Sequence, residues 1–330
     1  MSAPRASGSG EDDLIARYFR PLANNPGAFG LIDDAAVLEG RGDDIVVTTD
    51  AIVAGVHFLP DDPPEAVARK ALRVNLSDLA AKGAVPAGFV LTLALPRADE
   101  AWLGPFARAL GEDIAAYRCP LLGGDTVSTP GPVMVSITAF GRVPTGTMVR
   151  RSGAQPGDRI AVSGSIGDAA LGLRLLKGAG GDGLSPAARG FLVARYREPQ
   201  PRLPLAAALR NAASAAMDVS DGLAGDLGKL CAASGVTATV AADRIPLSEA
   251  ARAALTAGVG SLEALIAGGD DYEVVCTVPP ERWAGFVRQA AEAGVAVADL
   301  GIVAAGRAPP RFLDGRGQEM ALPRRSFSHF

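Results

Sequence analysis

The sequence is poor in histidine and cysteine. Only two of its 330 residues are histidine, His57 and His329, so a zinc site built from several histidines is excluded. The three cysteines, Cys119, Cys231 and Cys276, occur singly in apolar surroundings and form neither a C-x-x-C pair nor a disulfide framework. We interpret them as small buried thiols, which fits a reducing compartment and predicts a cytoplasmic protein.

Signals for export, membrane insertion and nucleic-acid binding are also missing. Residues 1–10 are small and polar without an apolar core, so no signal peptide is expected. No apolar run approaches the roughly 18 to 20 residues of a membrane span, so no membrane partner is expected. The net charge of −4 and an isoelectric point near 5.4 speak against a nucleic-acid partner. Such a chain can still bind an anionic nucleotide when Mg²⁺ lies between the two.

The bulk composition predicts a folded protein of about two domains. Hydrophobic residues make up 48% of the chain and charged residues 21%, a balance typical of globular rather than disordered proteins. A length of 330 residues exceeds what one ordinary core needs. The polar, turn-rich stretch at 150–158 predicts a boundary near residue 150. We therefore predict a flexible tail at 1–10, an N-terminal domain at 11–150 and a C-terminal α/β domain at 151–330.

Strand and helix patterns alternate along the chain, which predicts an α/β or mixed α+β fold. In the N-terminal half, we predict helices at 11–19, 63–81 and 99–117, and strands at 45–49, 88–95 and 133–140. In the C-terminal half, we predict helices at 167–177, 187–197, 202–213, 222–234 and 281–293, and strands at 159–163, 236–240, 273–278 and 297–303. The first strand is predicted to end at Asp50, and the segment Leu121-Leu122 is predicted to be a buried strand that ends before two glycines.

The predicted helix at 63–81 combines an apolar face with a late acidic residue. The apolar face consists of Val67, Ala71, Val74 and Leu79. Asp78 lies near the C-terminal end, where the helix dipole opposes negative charge. This unfavourable placement indicates that Asp78 binds a cation.

The common nucleotide-binding motifs are absent. The sequence contains no G-x-x-x-x-G-K-[ST] loop and none of the protein-kinase motifs. The letters of G-x-G-x-x-G occur at 178–183, but they follow a predicted helix rather than a strand, so we interpret them as a flexible loop. A nucleotide is therefore expected to bind outside the common folds, if it binds at all.

Aspartates recur in short clusters with glycine, serine and threonine, each where an apolar run ends. Mg²⁺ is held in proteins by a few carboxylates together with substrate phosphate oxygens. The pattern is therefore typical of an enzyme that acts on phosphates with the help of a metal. The clusters are Asp33-Asp34, Thr48-Thr49-Asp50, Asn75-Leu76-Ser77-Asp78, Gly123-Gly124-Asp125-Thr126, Asp218-Val219-Ser220-Asp221-Gly222 and Gly268-Gly269-Asp270-Asp271-Tyr272-Glu273.

Each cluster also has a plain structural interpretation. The Asp33-Asp34 pair fits a turn before a strand, and His57 taken alone fits a buried histidine with a satisfied hydrogen bond. The Gly123-Gly124 pair fits either a turn or a close approach of backbone to phosphate. The segment 218–222 fits an N-cap, although the same helix start also suits a phosphate group.

Taken together, the motifs point beyond these separate interpretations. The relevant segments are Asp33-Asp34-Ala-Ala-Val, Thr49-Asp50 with His57 seven residues on, Asn75-Leu-Ser-Asp78, Gly-Gly-Asp125-Thr, Arg151-Ser-Gly, Asp218-Val-Ser-Asp221-Gly-Leu and Gly-Gly-Asp270-Asp-Tyr-Glu. The order of these motifs and their residue patterns, from about residue 11 to the C-terminus, resemble those of the thiamine-monophosphate kinase family. That family belongs to the superfamily typified by aminoimidazole ribonucleotide synthetase.

The resemblance implies a fold, an activity and a set of partners. It implies two α/β domains, with the N-terminal sheet paired with that of a second subunit in a homodimer. ATP and several Mg²⁺ ions are expected between the domains, with the ATP and Mg²⁺ positions largely in the N-terminal domain. The implied reaction is direct transfer of the γ-phosphoryl group of ATP to thiamine monophosphate, which yields thiamine diphosphate.

The resemblance also assigns roles to particular residues. The Mg²⁺ positions are Asp33, Thr48, Thr49, Asp50, Asp78, Asp125, Asp218 and Asp221; the ATP positions are Gly124, Asp125, Arg151 and Ser220; and the substrate positions are His57, Asp270 and Phe327. No residue is assigned as a catalytic base, because the acceptor is a phosphate that is largely ionised at neutral pH. The chemistry then needs mainly charge neutralisation and in-line positioning.

Three positions depart from the family pattern. Ile32 precedes the first aspartate pair where the family usually has glycine, and Asp270 stands where it has glutamate. Ser328 stands near the C-terminus where the family commonly has aspartate. These departures concern the thiamine site more than the metal and ATP positions.

Other functions compete with the kinase. Selenophosphate synthetase would be expected to carry a reactive cysteine near the N-terminus, and residues 1–30 contain none. The hydrogenase maturation protein would carry a C-terminal cysteine, whereas this chain ends in Ser-His-Phe. Aminoimidazole ribonucleotide synthetase lacks the motif Asp-Val-Ser-Asp-Gly-Leu at the corresponding position. A non-catalytic sensor of nucleotide or thiamine phosphate is a further alternative, although a sensor does not need several phosphate-bridging metals.

Overall fold

A computed structural model describes residues 29–30, 32–34, 36–38 and 42–322 of the chain. The predicted tail and first helix, together with Phe327 and Ser328, lie outside the described residues. Within them the chain forms a five-stranded sheet and a six-stranded sheet, each with helices packed against it. The predicted mixed α/β class is confirmed.

The first sheet has the strand order β1-β2-β5-β3-β4. All neighbouring strands run antiparallel except β3 and β4, which run parallel. Its elements are β1 (Ala36–Leu38), β2 (Asp43–Val53), α1 (Pro64–Ala81), β3 (Val85–Leu95), α2 (Glu100–Tyr117), β4 (Leu121–Ser128) and β5 (Met134–Pro144).

Helices α1 and α2 cover one face of this sheet. Alternate residues of β2 point toward them and are buried, among them Val46 and Ile52, because successive side chains of a strand face opposite sides. Pro64 starts α1 at a position where the missing N–H costs nothing. The side chain of Asp99 caps α2 by accepting a hydrogen bond from the N–H of Ala101 at 3.0 Å.

Two features of this sheet differ from the sequence-based expectation. Strand β2 does not end at Asp50 but continues to Val53, because all of its residues pair with β5. The Gly123-Gly124 pair does not follow a buried strand but lies inside β4, which is exposed along its whole length. The close approach of β4 to β3 requires glycine at position 124, because a Cβ added there would lie 2.0 Å from the carbonyl oxygen of Leu91 on β3.

The second sheet has the strand order β11-β8-β10-β6-β9-β7. Only β11 and β8 run parallel. Its elements are β6 (Arg159–Ser163), α3 (Asp168–Leu176), α4 (Pro186–Arg197), α5 (Ala206–Ala212), β7 (Ala215–Val219), α6 (Leu223–Ser234), β8 (Val236–Ala241), α7 (Glu249–Thr256), α8 (Leu262–Ile266), β9 (Glu273–Val278), α9 (Pro280–Glu292), β10 (Val297–Ala305) and β11 (Arg311–Leu313).

Short elements account for most of what the sequence patterns missed. Helices α7 and α8 are eight and five residues long, and each begins after a serine that caps it, Ser248 and Ser261. Strands β1 and β11 have three residues each. Elements this short carry too few residues to establish a period. Residues 145–158 connect the two sheets, and the division of the chain at residue 150 stays a prediction.

Helix α1 lies between the two sheets. It contacts β2 and β5 of the first sheet and β7 and β9 of the second. Its polar face is therefore buried as well as its apolar face: Lys70, Asn75 and Ser77 are each at most 1% exposed. The sequence pattern predicted only the apolar face, because a polar stripe on a helix is usually solvated.

The close approach at Gly124 leads to a stability prediction. We expect Gly124→Ala to lower the free energy of unfolding by about 1–3 kcal/mol, because the added methyl group forces β4 away from β3. Gly123→Ala is the matched control, since a Cβ there meets nothing within 4 Å. Urea denaturation of both variants measures the difference, and equal stability of the two would contradict the steric explanation.

Candidate active site

Three carboxylates from separate elements meet between the two sheets. Asp34 precedes β1, Asp78 lies in the last turn of α1, and Asp218 lies in β7. Their ligand atoms lie within 4.8 Å of one another, which is close enough for one cation to bind all three. We call these three residues the acidic centre.

Helix α1 orients two members of the acidic centre. It contributes Asp78 itself, whose Oδ2 accepts a hydrogen bond of 2.5 Å from the hydroxyl of Thr48 on β2. The neighbouring Ser77 donates a hydrogen bond of 2.9 Å to Oδ2 of Asp218. Because Thr48 and Ser77 are both buried, the carboxylates are held in place before any ligand binds.

The negative charge of the acidic centre is not fully compensated by the cationic side chains around it. Burial and the charge of Asp218 raise the pKa of Asp78 well above its ordinary value. Burial and the nearby Asp226 raise the pKa of Asp218 to about 7. On β2, burial and Asp221 raise the pKa of Asp50 to about 6. Like charges in a low-dielectric site disfavour ionisation, so a bound cation would lower all three pKa values.

Arg151 and Lys82 approach the centre from the side of Asp33 and Asp34. The backbone N–H of Arg151 donates to Oδ2 of Asp33 at 2.8 Å, and its guanidinium pairs with Asp34. Nζ of Lys82 lies 2.7 Å from Oδ1 of Asp33 and 3.0 Å from Oδ2 of Asp34. Both aspartates therefore contact these cationic residues, and Asp34 in addition belongs to the acidic centre.

A third cationic side chain, Lys229 of α6, contacts carboxylates near the start of that helix. Nζ of Lys229 is 2.5 Å from Oδ2 of Asp221 and 3.2 Å from Oδ1 of Asp226. Oδ2 of Asp226 in turn accepts the backbone N–H of Asp221 at 2.9 Å. Burial alone would lower the pKa of Lys229, but the two carboxylates raise it above its ordinary value. This arrangement fixes the turn that carries Asp221.

The loop 268–272 interlocks with the turn 218–222. The N–H of Asp270 donates to the carbonyl of Ser220 at 2.8 Å. A Cβ at Gly269 would lie 2.4 Å from that carbonyl oxygen, and one at Gly222 would lie 2.7 Å from the backbone of Ala267. Glycine at both positions therefore brings the predicted substrate residue Asp270 next to the predicted metal and ATP residues.

Asp270 and His57 are connected through two further residues. Oδ1 of Asp270 lies 3.2 Å from Nζ of Lys70, a side chain that is 1% exposed. The ammonium group of Lys70 lies 3.9 Å from the centre of the Tyr196 ring. The hydroxyl of Tyr196 donates to the carbonyl of His57 at 3.3 Å, and Nδ1 of His57 accepts the N–H of Val53 at 3.0 Å.

Thr49 and Asp125 are not brought to the acidic centre within one chain. The hydroxyl of Thr49 donates to the carbonyl of Ile137 at 3.1 Å and lies on the sheet face opposite the helices. Asp125 is exposed on β4, three strands away from β2 through the pairs Asp125↔Thr92, Thr92↔Ser136 and Ser136↔Ala51. At about 4.8 Å per strand, this separation is about 14 Å.

Several residues of the site were missed by the sequence patterns. These residues are Asp34 as a member of the acidic centre, Lys82, Lys70, Asp226 and Lys229. The spacing of Asp78 and Lys82, four residues apart across a helix end, could have indicated a shared site. The sequence does not indicate whether Asp33 or Asp34 belongs to the acidic centre. Adjacent aspartates are chemically identical, and only the backbone determines the direction of each side chain.

The chain matches two known protein-family models. A family model described as AIR synthase related protein, N-terminal domain, matches residues 32–143, and one described as AIR synthase related protein, C-terminal domain, matches residues 155–310. The molecule is therefore a two-domain protein of the AIR synthase related class.

Individual relatives narrow the class. The thiamine-monophosphate kinase of Caulobacter vibrioides is 48% identical over 322 residues, which cover 96% of this chain and 90% of the relative. The crystal structure of thiamine-monophosphate kinase from Stenotrophomonas maltophilia has 37% identity and a TM-score of 0.77, covering 96% of this chain and 98% of the other. A structure described as AaThiL complexed with AMPPCP and TMP has 29% identity and a TM-score of 0.80, covering 92% and 97%. The chain belongs to the thiamine-monophosphate kinase family, and the resemblance found in its motifs is confirmed.

The raised carboxylate pKa values predict how the metal-free protein responds to pH. In the unfolded chain these groups titrate near 3.9, whereas Asp218 titrates near 7 in the folded protein. The folded state therefore binds more protons between these values, and its stability falls as pH rises from 5 to 8. We expect the Tm in EDTA to decrease by a few degrees over this range, measured by scanning fluorimetry at constant ionic strength.

Two variants test the source of this slope. Asp218→Asn should make the decrease in Tm shallower, because it removes one titrating group from the acidic centre. Asp182→Asn, a change at an exposed loop residue, should leave the slope unchanged. A Tm that rises with pH in the metal-free wild-type protein would show that the carboxylates are not held at raised pKa.

Proposed function

We propose that this protein transfers the γ-phosphoryl group of ATP to thiamine monophosphate and so produces thiamine diphosphate. Membership of the thiamine-monophosphate kinase family supports the reaction. Among the observations on the structure, the acidic centre carries the proposal furthest, since three converging carboxylates suit a site where phosphate oxygens share a cation. The three buried cysteines are free thiols without a disulfide, which fits a reducing cytoplasm.

The residues of the centre fit Mg²⁺. Mg²⁺ prefers oxygen ligands and is commonly bound by one or two carboxylates together with substrate phosphates. Oδ2 of Asp34 is buried and has the ion pair with Lys82 at 3.0 Å but no aligned hydrogen bond, and Asp78 and Asp218 repel each other as anions. Asp34, Asp78 and Asp218 would hold the metal, with Asp50 and Asp221 beside them. Bound Mg²⁺ would neutralise charge on the phosphates during transfer.

The protein's own residues would position the reactants. The guanidinium of Arg151 presents a planar set of donors next to the acidic centre, which suits phosphate oxygens. The turn 218–222 precedes α6, so the backbone at Ser220 is placed for a nucleotide phosphate. Lys70 holds Asp270 at the side of His57, where we place the thiamine monophosphate. Phe327 stays a predicted substrate contact. We assign no general base, because the acceptor phosphate is already ionised.

A direct assay tests the activity. Purified protein with ATP, Mg²⁺ and thiamine monophosphate should form equal amounts of ADP and thiamine diphosphate, resolved by chromatography. EDTA should abolish both products. Turnover of ATP with another acceptor would move the function to a sister enzyme, and nucleotide binding without any turnover would favour a sensor.

Substitution of single aspartates tests the role of the carboxylates. We expect Asp50→Asn and Asp221→Asn each to reduce kcat by at least about a hundredfold, because they remove charge from the site where the phosphates meet the metal. The circular dichroism spectrum should be unchanged. Asp243→Asn, at an exposed position of the C-terminal half, is the control and should retain full activity. Wild-type rates in both site variants would remove these residues from the metal site.

We also propose that the protein is a homodimer that pairs through its first sheet. Strand β4 lies at the edge of this sheet and exposes Leu121, Leu122 and Val127 by 46%, 61% and 43%. An exposed apolar edge strand favours pairing with another strand. The sheet face opposite α1 and α2 exposes Thr49 and Ala51 and can be covered in the same dimer.

The dimer gives Asp125 a role that it cannot have within one chain. Asp125 lies about 14 Å from β2 by strand spacing. Because it lies on the exposed edge strand, we propose that it contributes to the metal site of the other subunit. Two inactive variants should then complement each other, since a mixed dimer of Asp50→Asn and Asp125→Asn contains one intact site.

The complementation experiment uses co-expressed, differently tagged copies. Random pairing of the two variants predicts about a quarter of the wild-type activity in the mixture, whereas each variant alone is inactive. A mixture that is as inactive as its components would place Asp125 outside the partner's site. Val127→Lys should convert the protein to a monomer in light scattering, with Val287→Lys on α9 as a control at a similarly exposed valine.

A further inference from the structure

Lys82 occupies an unusual position for a lysine. It follows α1 directly, is 0% exposed, and extends its side chain toward the acidic centre from the N-terminal half. Lysine is almost never fully buried unless it is paired. The C-terminal end of a helix favours a positive charge, so the end of α1 stabilises the ammonium group.

All three donors of the Lys82 ammonium have an acceptor nearby. Nζ lies 2.7 Å from Oδ1 of Asp33, 3.0 Å from Oδ2 of Asp34 and 2.9 Å from the carbonyl oxygen of Ala216 on β7. An ammonium group has three hydrogens and no acceptor. One hydrogen bond and two ion pairs therefore hold the charge in place without a ligand.

The charges around the acidic centre are unequal. The carboxylates are Asp33, Asp34, Asp50, Asp78, Asp218, Asp221 and Asp226, and the cationic side chains that contact them are Lys82, Arg151 and Lys229. Arg151 and Lys229 are both partly exposed, whereas Lys82 is enclosed. Of these three cations, Lys82 is the one that solvent cannot screen.

We propose that Lys82 acts as a built-in cation of the metal and phosphate site, at a position that a further divalent ion would otherwise occupy. Its ammonium lies between the carboxylates of Asp33 and Asp34, as a metal ion would, and Asp34 still lies within reach of the acidic centre. The protein thus needs one bound divalent ion fewer than its carboxylates could hold. This inference rests on the proposed Mg²⁺-dependent function and concerns a residue that the proposed mechanism does not use.

The test counts bound metal ions instead of measuring activity alone. Mn²⁺ is titrated by electron paramagnetic resonance into the full-length protein in the presence of a non-hydrolysable ATP analogue. Lys82→Ala removes the ammonium and leaves space for a hydrated ion, so it should bind one additional Mn²⁺ per chain. Without metal, its Tm should fall by roughly 5–10 °C, because two buried carboxylates lose their partner. Mn²⁺ should raise the Tm of this variant more than that of the wild type.

Two further variants separate charge from packing. Lys82→Ala combined with Asp33→Asn removes one charge of each sign and should return the Mn²⁺ count to the wild-type number. Lys70→Ala is the matched control, because Lys70 is also a buried lysine of α1 but faces the single carboxylate of Asp270. This variant frees one carboxylate, whereas Lys82→Ala frees a facing pair, so the count should not change.

The outcomes distinguish this inference from the proposed function. No Mn²⁺ bound by the wild-type protein with nucleotide would contradict the proposed metal-dependent kinase. If wild type and Lys82→Ala bind the same number of Mn²⁺ ions, and metal does not restore the lost Tm, the inference is wrong. Lys82 then serves only as a structural link between the two halves. Fewer ions in Lys82→Ala would mean that Lys82 positions a ligand. If Lys82→Ala does not fold without metal, refolding with Mn²⁺ decides: recovery of the fold with one additional ion supports the inference, and failure to fold with Mn²⁺ overturns it.

Discussion

Burial of charged side chains on a helix enclosed by two sheets is the constraint on which this structure depends. Helix α1 contacts strands of both sheets, so Lys70, Arg73, Asn75 and Ser77 are buried and must find partners. Arg73 shows the solution: its guanidinium forms two hydrogen bonds to Asp113 on α2 and a third to the carbonyl of Pro199. Loss of one partner from such a buried pair typically costs about 3–5 kcal/mol, so these contacts fix the helix in register.

The register of α1 determines the geometry of the site. The same turn of the helix places Asp78 in the acidic centre and aligns Ser77 with Asp218. A rotation of this helix by one residue would turn both side chains away, since neighbours on a helix differ by about 100° in direction. The packing that stabilises the fold and the arrangement that serves the chemistry are therefore set by one element.

Long elements and motif positions could be predicted from the sequence, whereas the direction of individual side chains could not. The limits of α1, β6 and β9 agree with the predicted limits to within a residue. Helix α1 is long enough to show its period, and the two strands are rich in β-branched residues. The patterns did not reveal that the polar face of α1 is buried, since burial depends on the second sheet, which comes later in the chain.

Adjacent residues show the same limit at the scale of the site. Thr48 and Thr49 are chemically equivalent in the sequence, yet the pleat of β2 sends the first toward Asp78 and the second to the opposite face of the sheet. Asp33 and Asp34 both contact Arg151 and Lys82, yet of the two it is Asp34 that belongs to the acidic centre. A motif therefore locates a site to within a few residues, and only the folded backbone decides between neighbours.

The position of α1 also has a consequence for how the chain folds. The two family models divide the sequence between residues 143 and 155, as if the halves were separable. Yet a fragment that ended there would expose Lys82 and Ser77 without the carbonyl and carboxylate of β7 that complete their hydrogen bonds. The other half would lose the helix that covers β7 and β9. We therefore expect the two halves to fold and unfold together, although the family models divide the sequence between them.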